Sequence, residues 1–305
     1  MISIVLGTYN RLNFLQLTID SIRSNVSSIA YEIIVIDGGS DDGTIQWLCQ
    51  QKDIITIIQH NRGTWHGKPI NRRSWGYFMN LGFKAAQGKY VCMLSDDCVI
   101  VPGSIHRGLS VFEHALEQGR KVGAVAFYWR DGVKENVYHV GTPMGHAMYV
   151  NHGMYLKTAL EEINYIDEIA YAFYFADIDL SFRLWQAGYE VIDSPDSFVE
   201  HYPYANLTVR STNEKKAEQD FKVFLSRWGT VYSDLTNHTI SAIRTKEFDD
   251  QTRTIDIFNK LHDQVVTSNP KLFKEPTFAR RCYAFARWKV ILIGRKASNL
   301  YKSIF

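Results

Sequence analysis

Short apolar runs alternate with amphipathic helical patterns over the first hundred residues, and no other feature limits the fold as strongly. Four continuous apolar runs have the length of strands: residues 2–7, 33–36, 54–58 and 90–94. Between them, apolar residues recur every three or four positions, as at Leu12, Leu15 and Ile19, which is the spacing of one helical face. Continuously apolar strands separated by helices are typical of parallel sheets covered on both faces. We therefore predict an α/β fold with a mostly parallel sheet flanked by helices.

Polar residues follow three of the predicted strands. They are Thr8-Tyr9-Asn10, Asp37 and Ser95-Asp96-Asp97. Ligands of parallel sheets bind beyond the carboxyl ends of the strands, so we expect these residues to form one site. The first strand is not followed by GxGxxG, and the chain contains neither GxxxxGKS nor GxxxxGKT. Both absences argue against a nicotinamide-dependent dehydrogenase and a P-loop NTPase.

The composition excludes several classes of protein. The 305 residues include 34 Lys and Arg against 32 Asp and Glu, and the net charge of +2 argues against a nucleic-acid binder that is basic throughout. The four cysteines form no CxxC pair, which argues against a disulfide or zinc framework. No run approaches the ~18 apolar residues of a membrane-spanning helix, and no signal-peptide pattern precedes the first strand. We expect a cytoplasmic protein, either soluble or peripheral on the inner face of the membrane.

The C-terminal residues differ from the rest of the chain in charge. From residue 276 onward there are seven basic side chains and no acidic ones, which leaves 27 basic against 32 acidic residues in the remainder. Aromatic and aliphatic residues interleave with these charges over residues 278–305, as in an interfacial helix on anionic lipid. The alternative is a helix packed on the protein with a solvated basic face.

Adjacent carboxylates at a strand end concentrate negative charge. Asp96 and Asp97 follow a buried strand, where such a pair is costly unless a cation or solvent balances it. A divalent cation with a nucleotide diphosphate is a natural partner, because Mg²⁺ binds one or two carboxylates together with phosphate oxygens. An isolated Asp-Asp pair is more often a solvated turn, but Asp37 and the polar residues after the first strand favour a binding site.

The ordered set of motifs resembles the family 2 glycosyltransferases, which are inverting enzymes with the GT-A fold. The matching segments are SIVLGTYNR (3–11), IVIDGGSDDGT (34–44), NLGFKAAQGKY (80–90), MLSDD (93–97), ADIDLSFR (176–183) and His201. Together they cover about residues 1–203 in the family's order and rough spacing. Each motif is weakly specific, whereas the ordered set is strongly specific.

The resemblance implies a role for each matching residue. Nucleotide-sugar binding is implied for Thr8, Tyr9, Asn10, Arg11, Asp37 and Asp96. Asp97 would bind a divalent metal, Mn²⁺ or Mg²⁺, and His201 matches a histidine that coordinates the metal or the diphosphate. Asp177 matches the catalytic base that deprotonates the acceptor hydroxyl. Asp37 has a helix-capping role as its alternative, and His201 a structural one.

The sequence departs from the family's pattern at two positions. Ser95 replaces the first acid of the metal-binding motif, and Ala176 replaces the glutamate before the base. Asp179 lies at a helix start and would point away from Asp177, so we expect it to pair with Arg183 in a structural role. Residues 61–76 form a long basic loop, for which a lid, a diphosphate clamp and a solvated loop all remain open.

The resemblance implies a metal-dependent hexosyltransferase of two parts. Residues 1–205 would form the GT-A domain and residues 206–305 a helical C-terminal extension with the basic tail. The donor would be a UDP-sugar, with dTDP- and GDP-sugars as alternatives, and the acceptor a glycan or lipid-linked glycan in cell-surface polysaccharide or glycoconjugate synthesis. The alternatives are a degenerate nucleotide-sugar-binding protein and a nucleotidyltransferase. Oligomeric state is left open.

Overall fold

A mixed sheet of ten strands forms the centre of the protein. The computed structural model describes residues 1–26, 28–132, 135–141, 148–229, 231, 243–250, 254–258 and 261–262. The strands are β1 (Ile2–Thr8), β2 (Tyr31–Asp37), β3 (Ile54–Ile58), β4 (Thr64–Trp65), β5 (Lys68–Pro69), β6 (Tyr90–Met93), β7 (Cys98–Ile100), β8 (Val122–Asp131), β9 (Tyr138–Gly141), β10 (Gly153–Leu156), β11 (Glu190–His201) and β12 (Ile243–Lys246). The helices are α1 (Leu12–Asn25), α2 (Thr44–Leu48), α3 (Trp75–Ala85), α4 (Ser104–Glu117), α5 (Lys157–Glu162), α6 (Ala176–Gln186) and α7 (Leu207–Trp228).

The strand order is β12-β9-β8-β10-β6-β1-β2-β3, with β11 paired to β8 and β7. The half made of β6, β1, β2 and β3 is parallel, as predicted. The other half is mixed, because β10 runs antiparallel to both β6 and β8. β8 and β9 are also antiparallel. The connection between them, residues 132–137, is too short for the crossover that parallel neighbours need.

Helices cover both faces of the sheet, so its strands are apolar on both sides. On one face Val5 of β1 packs with Phe83 of α3 and Phe182 of α6. On the other, Ile4 packs with Ile19 of α1 and Phe112 of α4. α3 lies so close to β1 and β2 that a Cβ on Gly82 would collide with Val5 and Ile36. The sheet is therefore fixed in position from both sides.

The segment after Pro203 begins with α7, whose apolar residues dock on the α/β body. Phe224 and Trp228 are buried, with ring centroids 5.6 Å and 5.4 Å from that of Phe182. β12, which the sequence analysis did not predict, extends the sheet edge beside β9. The chain divides into two compact units, Met1–Asn259 and Lys260–Phe305. The expected interfacial helix at 278–305 lies outside the described residues. Within the described ranges, no helix has both the length and the apolar character that a bilayer span requires.

Candidate active site

A cavity of about 360 Å³ opens where β1 and β6 end. Seven of the nine residues that the resemblance assigned to binding, metal coordination or catalysis line it: Thr8, Tyr9, Arg11, Asp96, Asp97, Asp177 and His201. β1 and β6 are parallel and in register, with Val5 opposite Met93, so the residues after both strands emerge at the same edge. This edge is where the sequence pattern predicts the site.

Arg11 bridges the two adjacent carboxylates. Its Nη1 lies 2.7 Å from Oδ1 of Asp96 and 2.9 Å from Oδ2 of Asp97. Burial raises the pKa of Asp96, and the charge of Arg11 only partly offsets it. Burial also acts on Asp97, but there the charges of Arg11 and then of His201 prevail and hold its pKa below the usual value. The pKa values of the two neighbouring acids are thus shifted in opposite directions.

Asp97 and His201 are brought together by strand pairing. β11 is antiparallel to β7 with His201 opposite Cys98, and Nε2 of His201 lies 3.3 Å from Oδ1 of Asp97. Two ligands that each bind one ion at about 2.1 Å stand roughly 3 Å apart. Nδ1 of His201 is buried and meets no hydrogen-bond partner within the described ranges. A carboxylate and an imidazole so arranged fit a divalent cation such as Mn²⁺.

Cys98 and His152 lie next to this pair, and the sequence analysis did not assign them to it. Sγ of Cys98 is 3.0 Å from Nε2 of His152, and both residues are fully buried. Together with His201 they present three ligand atoms within 4.8 Å of one another. A thiolate with two imidazoles suits zinc better than manganese. No sequence spacing indicates this cluster, because Cys98 and His152 are 54 residues apart.

Asp177 lies in the first turn of α6 and faces the cavity. Its Oδ2 accepts a hydrogen bond from Nδ2 of Asn151 at 3.2 Å, and its Oδ1 accepts one from the backbone N–H of Ile178 at 3.0 Å. Burial nevertheless raises the pKa of Asp177. Phe175, two residues before Asp177, has a positive φ of 66° and stacks on Phe224. This packing holds an unfavourable backbone conformation that turns the chain into α6.

Asn10 and Asp37 are not among the residues that line the cavity. Asp37 is fully buried, and its carboxylate accepts hydrogen bonds from the backbone N–H groups of Gly39 and Ser40, each at 2.7 Å. Oγ of Ser40 in turn accepts the backbone N–H of Asn10 at 2.8 Å. The two residues thus support the turn beside Thr8. Asp179 is fully buried and bonds Nε of Arg183 at 2.9 Å, which confirms their predicted pairing.

Residues 61–76 contain a short hairpin of β4 and β5 whose flanks reach the cavity. Arg62, Arg72 and Arg73 all line it. The guanidinium of Arg62 lies over the ring of Tyr9, 4.8 Å from its centroid. The cavity is also lined by Arg210 and Asn213 of α7, which the sequence analysis placed in the extension. Nothing in the sequence of a helix tells which part of the body it will face.

Comparison with solved structures identifies the fold. TarS 1–349 of S. aureus superposes with a TM-score of 0.53 at 14% identity, over 86% of this chain and 76% of that one. The mannosyltransferase PcManGT of Pyrobaculum calidifontis, solved with GDP-Man and Mn²⁺, superposes with a TM-score of 0.50 at 15% identity. The match covers 95% of this chain and 80% of that one. At such identities the likeness concerns the fold alone, and it is GT-A.

Sequence comparison identifies the family. The uncharacterized protein y4gI of Sinorhizobium fredii is 24% identical over 265 residues, which cover 75% of this chain and 28% of that protein. This chain spans about a third or less of the length of the first curated relatives that it matches. The profile of the family described as Glycosyl transferase family 2 matches residues 3–167, more than half of the chain. The protein therefore belongs to glycosyl transferase family 2.

Proposed function

We propose that the protein transfers a sugar from a nucleotide-diphosphate sugar to a hydroxyl of a glycan or lipid-linked glycan, with inversion at the anomeric carbon. The observation that carries the proposal is the meeting of Asp97, His201 and Asp177 in one cavity. A UDP-sugar is the first candidate donor, and the GDP-Man bound to PcManGT keeps a GDP-sugar open. Residues 1–205 would form the catalytic domain, to which α7 of the extension adds one cavity wall.

The donor would bind with its nucleoside against Thr8 and Tyr9 and its diphosphate toward Asp97 and His201. A divalent cation held by these two residues would supply positive charge to the departing diphosphate. Arg11 keeps Asp97 ionised and correctly placed through its 2.9 Å contact. Ser95 offers no carboxylate, so Asp97 and His201 would be the principal ligands of the ion.

Asp177 would act as the general base. The acceptor oxygen attacks the anomeric carbon, its proton moves to Asp177, and the bond from that carbon to the diphosphate oxygen breaks with its electron pair. One displacement inverts the carbon and needs a single carboxylate, which is consistent with Ala176 in place of a second acid. The raised pKa of Asp177 makes it a stronger base than an ordinary aspartate.

A catalytically degenerate nucleotide-sugar-binding protein is the second candidate. Ser95 and Ala176 replace two acids of the family's pattern, and Arg11 already forms ion pairs with Asp96 and Asp97. Such a protein would bind a nucleotide sugar with Mn²⁺ and leave it intact. Slow hydrolysis of the donor therefore separates the two candidates without knowledge of the acceptor.

The first experiment measures thermal stability with UDP-, GDP-, dTDP- and CMP-sugars, each with and without Mn²⁺. A ligand that binds only the folded state raises its stability, so the true donor class should give a shift that depends on the metal. No shift with any of the four at millimolar concentration would contradict the proposal.

The second experiment tests Asp177→Asn. We expect hydrolysis of the identified donor to fall at least about a hundredfold, because the amide cannot accept a proton. The thermal shift with donor and Mn²⁺ should persist, since Asp177 contacts neither nucleotide nor metal in the proposed complex. Hydrolysis at the wild-type rate would show that Asp177 is not the base.

A further inference from the structure

Three arginines of the cavity lack the carboxylate partner that arginines elsewhere in the protein have. Arg62, Arg72 and Arg73 have no carboxylate within 4 Å among the described residues, whereas eight other described arginines each have one within 3.2 Å: Arg11, Arg23, Arg120, Arg130, Arg183, Arg210, Arg227 and Arg244. The remaining described arginine, Arg107, bonds backbone carbonyls. The uncompensated guanidinium groups thus converge on the cavity.

Each of these arginines contacts a different neighbour in the cavity. Arg62 stacks on Tyr9, on the side proposed for the nucleoside. Arg72 donates to Oδ1 of Asn213 on α7, and Arg73 lies 5.1 Å from the ring centroid of Tyr77. Uncharged partners leave both positive charges available. Burial and then the charge of Arg62 lower the pKa of Arg72, and a bound anion would favour its charged form.

The wall that carries Arg72 and Arg73 is joined to the chain that leads to Asp177. Oγ of Ser74 donates to the carbonyl of Glu168 at 2.7 Å, and the backbone N–H of Trp75 donates to the carbonyl of Ala172 at 3.0 Å. Asp220 of α7 accepts the backbone N–H groups of residues 172–174, each at 2.9 Å. Arg72 and Arg73 are therefore linked, through Ser74 and Trp75, to the segment that leads to the proposed base.

The donor diphosphate does not require these two charges. In the proposed function its negative charge meets the divalent ion at Asp97 and His201, and Arg62 lies nearer the nucleoside. Two guanidinium groups in one cavity present more donors than one carboxylate can accept, whereas the oxygens of a phosphate can accept from both. We propose that Arg72 and Arg73 bind a phosphate group of the acceptor, so that the acceptor is a phosphate-bearing glycan or lipid-linked glycan. This inference rests on the proposed function.

The test measures binding of glycerol 3-phosphate to the full chain by calorimetry, first alone and then with the donor nucleotide and Mn²⁺ at saturation. The variant is Arg72→Gln with Arg73→Gln, and the matched control is Arg120→Gln, an exposed arginine that does not line the cavity. We expect the double variant to weaken phosphate binding about tenfold or more. The Kd for the nucleotide should change by less than about twofold, and the control should resemble the wild type.

Three results would overturn the proposal. The nucleotide Kd could rise as much as the phosphate Kd, which would assign the arginines to the donor. The control could lose as much phosphate affinity as the double variant, or glycerate could bind as tightly as glycerol 3-phosphate, which would remove the preference for phosphate. Failure of the nucleotide to bind the wild type would contradict the proposed function, whereas the titration without nucleotide still tests the phosphate site.

The source of the phosphate is a separate arm of the same experiment. Phosphatidylcholine vesicles with and without polyprenyl phosphate are sedimented with the wild type and with the double variant. Retention that needs both polyprenyl phosphate and the two arginines would identify a lipid-linked acceptor. Binding of glycerol 3-phosphate without such retention would identify a soluble or polymeric phosphate ester.

Discussion

The chemistry of the proposed base depends on one side-chain hydrogen bond. Enclosure of Asp177 raises its pKa, and the bond from Nδ2 of Asn151 is the first of the interactions that oppose the rise. Burial and then the charge of Asp177 raise the pKa values of Tyr149 and Tyr155, so both phenols remain neutral. The titration of Asp177 is therefore set by burial and by Asn151 more than by a neighbouring charge.

Asn151→Ala should move the acid limb of the pH–rate profile to higher pH. Loss of the hydrogen bond destabilises the carboxylate, so the pKa of Asp177 rises further. The base works when deprotonated, and the rate of donor hydrolysis should begin to fall at a correspondingly higher pH. The profile is measured from pH 4 to 8, with Gln118→Ala, at an exposed residue that directly follows α4, as the control. An unshifted acid limb in Asn151→Ala would contradict this account.

At the scale of elements, a buried carboxylate fastens α7 to α6. Oδ1 of Asp179 accepts hydrogen bonds from Nη1 of Arg227 and Nε1 of Trp228, both at 2.8 Å, while Oδ2 accepts from Arg183. Tyr171 donates to Oδ1 as well, at 3.0 Å. Since α6 begins beside the proposed base and α7 lines the cavity, this hub fixes two walls of the site relative to each other.

Asp179→Asn should therefore destabilise the protein. The substitution removes the carboxylate that pairs with Arg183 and leaves Arg227 with Asp167 alone, so we expect a loss of about 3 kcal/mol in the free energy of unfolding. Glu190→Gln is the matched control, because its pair with Arg120 is exposed on both sides and should contribute less than about 1 kcal/mol. Urea denaturation measures both changes. A loss in Asp179→Asn no larger than that of the control would refute the hub.

The sequence predicts elements well where one physical signal dominates. β1 and β3 are continuous apolar runs between helical patterns, and the structure confirms both. Pro195 interrupts the strand pattern of β11, because proline has no N–H for a sheet hydrogen bond. In the structure β11 continues to His201 past a register shift between Ser194 and Phe198. That extension places His201 next to Asp97. It depends on the pairing of β11 with β7 and β8, and no local sequence pattern encodes that pairing.

The same limit applies to the site. Residues at strand ends could be predicted together because parallel strands end at a common edge. Asn213 could not, since α7 is placed at the cavity by long-range contacts such as the packing of Phe224 and Trp228 on α6. Asp37 shows the opposite case, in which the motif is recognisable but its carboxylate is occupied by its own turn.

At the scale of the whole molecule, the charge is divided unevenly along the chain. Seven basic residues follow residue 276, whereas the rest of the chain has a net charge of −5. The basic tail can therefore be attracted either to the rest of the protein or to an anionic surface. A lipid-linked acceptor would favour the second, because membrane attachment brings the catalytic domain to its substrate. The interleaved aromatic residues, among them Tyr283 and Trp288, suit the headgroup region of a bilayer.

The full chain should consequently sediment with phosphatidylglycerol vesicles at low salt and not with phosphatidylcholine vesicles. Each basic residue near an anionic surface contributes about 1 kcal/mol, so reversing Arg280, Arg281 and Arg287 to glutamate should weaken vesicle binding at least roughly a hundredfold. Salt should weaken the wild-type interaction because the attraction is screened. The control reverses three exposed lysines of the unit Met1–Asn259, namely Lys52, Lys89 and Lys215. If the tail instead packs on the body, its reversal will lower the thermal stability of the protein, and vesicle binding will be absent in the wild type as well.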